Sequence, residues 1–175
     1  MSESPNTVNM TSLSANIDFR TLLCLTPAIS STCSLWYAWD QHYFLNLLTR
    51  PDLGPFNKKI LPVYFQTYME QSVLKNFALI ITTILSSSAV IYTSPATLLQ
   101  ERGSRSLYQA GIGLAISHYI FAFILLPRIR AIQSNTDQAV VELGKLLRLH
   151  VFRTMTLELA CCLCCVAAAT KTLSL

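Results

Sequence analysis

The chain has 175 residues, room for one domain, and is 52% hydrophobic. Only 13% of it is charged, against roughly 25% in a soluble domain. Thirteen Lys and Arg against nine Asp and Glu leave a net charge of +4, and the mean hydropathy is +0.43. These values speak against a disordered chain, a nucleic-acid binder and an ordinary soluble enzyme. They point to a small polytopic membrane protein.

Residues 1–19 form a Ser/Asn/Thr-rich tail without the basic and apolar stretches of a cleavable signal. The tail carries a glycosylation sequon at Asn9-Met10-Thr11. Four stretches are then long and apolar enough to cross a bilayer, at about 21–40, 76–100, 106–127 and 149–170. Residues 171–175 end the chain. The expected fold is an all-α integral membrane four-helix bundle over residues 20–170, since helices satisfy their own backbone in lipid. Pro95 is expected to kink or end the second helix. An amphipathic segment at about 62–75 follows the turn signal PDLGP, and Pro62 suits the first turn of a helix.

Loops 1 and 3 carry Arg50, Lys58, Lys59, Lys75, Arg128, Arg130, Lys145 and Arg148. The opposite side carries Arg20, Arg102, Arg105 and Lys171. That asymmetry places loops 1 and 3 in the cytoplasm and both termini in the lumen, with the endoplasmic reticulum as the expected membrane. Asn9 is then on the side where glycosylation occurs.

The chain has no Walker loop, dinucleotide fingerprint or di-metal cluster, so no cofactor or metal is expected. Gly111 and Gly113 lie in a span and read as packing residues. The six cysteines include the run CCLCC at 161–165. Structural zinc sites bring ligands from two separated pairs, so these cysteines read as small apolar residues.

Ionisable groups at membrane depth are functional candidates. On a helical wheel with His150 at zero, Arg153 falls near about 300° and Glu158 near about 80°. Cys161, Cys164 and Cys165 share that arc, while Val151, Phe152, Met155, Leu159 and Leu163 fill the opposite one. Arg153 and Glu158 read either as an ion pair fixing helix register or as an acid–base and charge-stabilising set. On the third span Gly111, Ala115, His118 and Ala122 share one face, which turns His118 toward the bundle. It is either a satisfied buried histidine or a proton-transfer residue. Asp40 shares a face with Cys33, Trp36, Tyr37 and Phe44. It is a candidate general acid in apolar surroundings, or part of an interfacial aromatic belt with His42. Gln66 and Glu70 sit one turn apart near the expected cavity mouth, where Trp36 and Tyr37 can also meet substrate.

The segment SHYIFAFILLPRIRAIQ, a short polar loop with Asn135, and then VVELGKLLRLHVFRTMTLELA give the chain its likeness to a known group. In this order they resemble the small four-helix membrane proteins of fungal polyketide clusters, the anthrone-oxygenase-like superfamily. Leu147, His150 and Arg153 form an L-x-x-H-x-x-R pattern, and His118 and Phe121 a His-x-x-Phe pattern. Both are similar to the epoxide hydrolases of the aurovertin and citreoviridin type. The likeness implies a cofactor-free enzyme acting on a lipophilic polyketide, with His118, His150, Arg153 and Glu158 in its site. Three functions follow as expectations: epoxide hydrolysis or cyclisation, cofactor-independent anthrone oxygenation, and a non-catalytic membrane scaffold.

Overall fold

A computed structural model describes residues 18–134 and 137–174, so the sequon at Asn9 lies outside the described residues. Every described element is helical. Helix α1 spans Phe19–Leu47, α2 Gly54–Thr93, α3 Ala96–Glu101 and α4 Ser104–Ser134. Helices α5 (Ala139–Arg153) and α6 (Leu159–Leu173) are the two halves of one long rod, joined by a π-helical turn at Thr154–Glu158. Each long helix packs on the next, and the α5–α6 rod closes back onto α1. The result is the expected four-helix bundle.

Three helical segments are long and apolar enough to cross a membrane: Lys59–Thr93, Ser104–Ser134 and Ala139–Leu173. This is a multi-pass membrane protein. The first expected span falls on α1, which is 29 residues long but is not among the three. Its Thr26, Ser30, Ser31, Thr32 and Ser34 lower its apolarity. Most of those hydroxyls are nevertheless satisfied: Thr26, Ser31 and Thr32 each donate to a carbonyl four residues back, at 2.7–2.8 Å, and Ser30 bonds to Thr83.

Helix α2 starts at Gly54 rather than near Pro62, so the amphipathic segment and the span are one helix of 40 residues. Pro62 is accommodated in its interior, as membrane helices allow. Helix α2 ends at Thr93, and Pro95 caps the short α3. Between α1 and α2, the Asn57 amide donates to the Leu48 carbonyl at 2.9 Å and ties off the end of α1. Beside it Arg50 makes a two-point bond to Asp52, which holds that exposed carboxyl below its ordinary range. At the other end of the bundle the Arg102 guanidinium donates to the Thr172 carbonyl at 2.8 Å and also to that of Ser174. A cation there satisfies the last carbonyls of α6.

The core is layered. Leu45, Leu61, Phe65, Leu125, Ile132, Leu143 and Leu147 pack one end. Cys24, Val90, Leu99, Tyr108 and Ala168 pack the other. Ile80, Ala115, Cys161 and Cys165 form a third apolar cluster. The cysteines are free, and Cys24, Cys161, Cys162 and Cys165 are buried. The small-residue stripe of α4 buries Gly111, Ala115 and His118, but Ala122 is exposed and burial resumes at the longer Leu125. Gly111 permits the close approach of α6: a Cβ there meets the Cys165 sulfur at 2.9 Å, whereas one at Gly113 meets nothing. Gly111→Ala is therefore expected to cost about 1–3 kcal/mol by overpacking. Gly113→Ala is expected to be neutral or slightly stabilising. Thermal unfolding of the two variants in detergent, side by side, checks the contrast.

Candidate active site

Glu158 lies five positions after Arg153, and a regular α-helix would set them about 140° apart. The π turn removes that separation. In it the Leu159 N–H donates to the Thr154 carbonyl, five residues back, so one extra residue is absorbed. Glu158 then lies over Arg153, with Oε1 3.0 Å from Nη2. Such single-turn π insertions recur at functional sites. The same insertion rephases the wheel downstream. Cys162, outside the expected inner arc, is buried, and Cys164, expected within it, is only half-buried.

The carboxylate is shared. From α4, His118 Nδ1 approaches the same Glu158 oxygen at 3.1 Å. Glu158 Oε1 thus meets an imidazole and a guanidinium at ion-pair distance, though neither contact has hydrogen-bond alignment. Glu158 Oε2 and Arg153 Nε are buried with no partner in the described protein. His118, His150, Arg153 and Glu158 are all less than one-tenth exposed.

His150 has a fixed tautomer. Its Nδ1 lies 3.0 Å from Arg153 Nη2, which can only donate. Nδ1 is therefore the acceptor, and Nε2 carries the proton and donates to the Ala38 carbonyl of α1 at 2.9 Å. A neutral His150 with both nitrogens engaged orients Arg153 and ties the rod to α1. The His42 ring stacks on it, with centroids 6.2 Å apart. His118 differs: its Nδ1 faces the carboxylate, and Nε2 has no hydrogen-bond partner among the described residues.

His118 and Glu158 line a cavity of about 20 Å³ with Ser31, Ser34, Thr83 and Cys161, space for about one water. Ser30 and Thr83 hydroxyls meet at 2.7 Å and clasp α1 to α2 beside it. On the outer side of the same seam runs an open groove of about 650 Å³, lined by Thr32, Cys33, Trp36, Tyr37, Ala78 and Leu79, with Lys75 at its side.

The sequence candidates therefore separate. His118, His150, Arg153 and Glu158 come together in one buried cluster. Trp36 and Tyr37 line the outer groove. Asp40 is half-buried on α1 and makes no ion pair or hydrogen bond among the described residues. Gln66 and Glu70 bond to each other at 3.2 Å on an exposed face and line neither cavity nor groove. Cys161 lies on the inner face, as its place on the wheel implied, but Ser31, Ser34 and Thr83 went unread in the sequence, as did the buried, unpartnered hydroxyl of Tyr119 beside the His118 ring. Their signal was hydroxyl groups recurring at helical spacing inside otherwise apolar spans.

No family model matches the sequence, and no solved structure matches it. It is 30% identical over 152 residues to the Penicillium citrinum protein named epoxidase gkaX, covering 85% of this chain and 92% of that one. The chain belongs to this fungal epoxidase family. It is also 26% identical over 157 residues to the Mollisia scopiformis protein named probable epoxidase scpX, covering 87% and 96%. The matches run through the whole bundle rather than one motif. They bear out the likeness to fungal membrane enzymes and support enzymatic activity in general. The relatives' names say epoxidase, where the sequence motifs suggest a hydrolase.

Two outcomes follow from this geometry. Arg153→Leu leaves the Glu158 carboxylate without its cation and is expected to cost about 3–5 kcal/mol, with the double variant Arg153→Leu/Glu158→Leu recovering much of it. Denaturant unfolding of all three proteins checks this. Deleting the exposed Thr156 is expected to convert the π turn into a regular α-helix, with Arg153 and Glu158 four residues apart and α6 on the same face. Deleting the equally exposed Leu163 instead rotates Cys165 and Ala168 by about 100° and is expected to unfold the bundle. Circular dichroism and thermal unfolding compare the two deletions.

Proposed function

We propose that this protein is a membrane-embedded enzyme of epoxide chemistry acting on a lipophilic polyene or polyketide intermediate. Full-length relatives named epoxidase support the class. The observation that carries the site is the Glu158 carboxylate shared by His118 and Arg153 beside a water-sized cavity.

Within that class the geometry favours ring opening. In this reading the proton of His118 sits on Nδ1, 3.1 Å from the Glu158 carboxylate, and a small turn of the ring aligns the two, leaving Nε2 as the base in the manner of a carboxylate–histidine dyad. His118 Nε2 takes a proton from water or from a substrate hydroxyl. The resulting oxygen bonds to an epoxide carbon, the C–O bond breaks, and the former ring oxygen takes the proton back from the imidazolium. Water gives a diol and an internal hydroxyl gives a cyclic ether, with atoms and charge balanced in either case. Arg153 stabilises the developing alkoxide, and His150 holds Arg153 in place. Trp36 and Tyr37 seat the apolar chain in the outer groove, and the α1–α2 seam is its way in from the bilayer. Asp40 is the less favoured acid, since nothing joins it to the cluster. Gln66 and Glu70 fall outside this scheme. Helix α1 completes four spans, the loop charges favour lumenal termini, and the fungal relatives suit an endoplasmic reticulum membrane.

A second reading is epoxide formation, favoured by the names of both relatives. There one atom of dioxygen becomes the ring oxygen, and the other leaves as water with two protons and two electrons from an external donor.

Oxygen labelling separates the two. Membranes expressing the protein are given a polyene and its epoxide, first in heavy-oxygen water and then under heavy dioxygen. Ring opening predicts labelled diol from water, or an unlabelled cyclic isomer. His118→Ala at equal protein level is expected to cut turnover by about 10²–10⁴-fold. Label from dioxygen in a newly formed epoxide establishes the second reading. Turnover unaffected by His118→Ala and Glu158→Gln sinks the proposed site.

A further inference from the structure

A second cavity, of about 70 Å³, lies on the other side of the Arg153–Glu158 pair. It has room for a group of several heavy atoms, since one water needs roughly 10–15 Å³ measured this way. Its polar lining comes from Gln41 of α1, Tyr68, Ser72 and Asn76 of α2, and Arg153 and His150 of α5. The rest of the wall is apolar.

Two of these residues have buried atoms with nothing to bond. Arg153 is 5% exposed, and its Nη2 is committed to His150 and Glu158, but its Nε has no partner. Asn76 Oδ1 is likewise buried and unpartnered. A buried donor and a buried acceptor left open are costly, and both residues line the same cavity. A ligand group that carries an acceptor and a donor together answers both.

Charge narrows the choice. Arg153 is already balanced by Glu158, and His150 is neutral in its assigned tautomer. An anionic ligand would therefore bring an uncompensated charge into the bundle, which is unfavourable. A neutral group with a carbonyl oxygen and an N–H is the match.

We infer that this cavity is an anchoring subsite for a neutral amide-type group of the substrate. Its carbonyl accepts from Arg153 Nε, and its N–H donates to Asn76 Oδ1. The inference rests on the reading of the cluster as a substrate site and adds to it the polar group that sets the substrate's position. Arg153 then joins the two chambers: Nη2 faces the carboxylate and Nε the anchor.

The test is a binding measurement that reads no turnover, so failure of the epoxide chemistry leaves its result intact. The purified full chain in detergent is titrated with dodecanamide, methyl dodecanoate and dodecanoate, and apparent affinity is taken from the thermal shift. Dodecanamide is expected to bind about 3–10-fold more tightly than the ester, the worth of one net hydrogen bond. Asn76→Leu is expected to erase that preference while leaving ester binding unchanged. Equal binding of amide and ester, tighter binding of dodecanoate, or a preference that survives Asn76→Leu overturns the inference. Should Asn76→Leu not fold, the smaller Asn76→Ala takes its place: loss of the amide preference supports the subsite and retention overturns it.

Discussion

A carboxylate inside a membrane bundle must be matched by cationic or donor groups, and the rest of this structure is arranged around meeting that demand for Glu158. The match comes from two helices. Arg153 reaches it along the same rod, and His118 reaches it from α4, at 3.0 and 3.1 Å. Removing Arg153 leaves an uncompensated carboxylate at a depth where charge is costly. The π turn, the tautomer of His150 and the close packing at Gly111 all serve to hold these groups in one place.

The hierarchy around Glu158 is also a division of labour. His150 has both ring nitrogens engaged, one on Arg153 and one on the Ala38 carbonyl. It can position but has no free lone pair to act as a base. His118 keeps Nε2 free and sits against a cavity of water size. The two histidines thus sit in different surroundings: His150 is held by two hydrogen bonds, whereas His118 has a carboxylate at ion-pair distance and an unengaged Nε2. Apolar layers at both ends of the bundle separate this polar level from the aqueous faces. The outer groove runs along the α1–α2 seam, lined by Thr32, Cys33, Trp36, Tyr37, Ala78 and Leu79.

Much of this was legible in the chain. Low charge and long apolar stretches fix a helical membrane protein, because backbone groups in lipid must bond internally. The small-residue stripe on α4 turned His118 inward. The motif order in the last two long helices carried the likeness to fungal membrane enzymes, which the full-length relatives bear out. Helix ends were less legible. Pro62 read as a start, yet α2 begins at Gly54, because a proline in the interior of a long helix is tolerated where neighbouring helices hold it.

What the sequence by itself determined was the environment and the inventory: an all-helical membrane bundle with His118, His150, Arg153 and Glu158 at membrane depth. Tertiary structure alone decided how they meet. A regular wheel sets Arg153 and Glu158 apart, and only the π turn brings them together. The cavities, the roles of the two histidines and the exclusion of Gln66 and Glu70 from the cluster likewise depend on contacts between helices distant in sequence. Local periodicity reports which face a residue occupies along its own helix. It does not report which atoms of another helix that face will find.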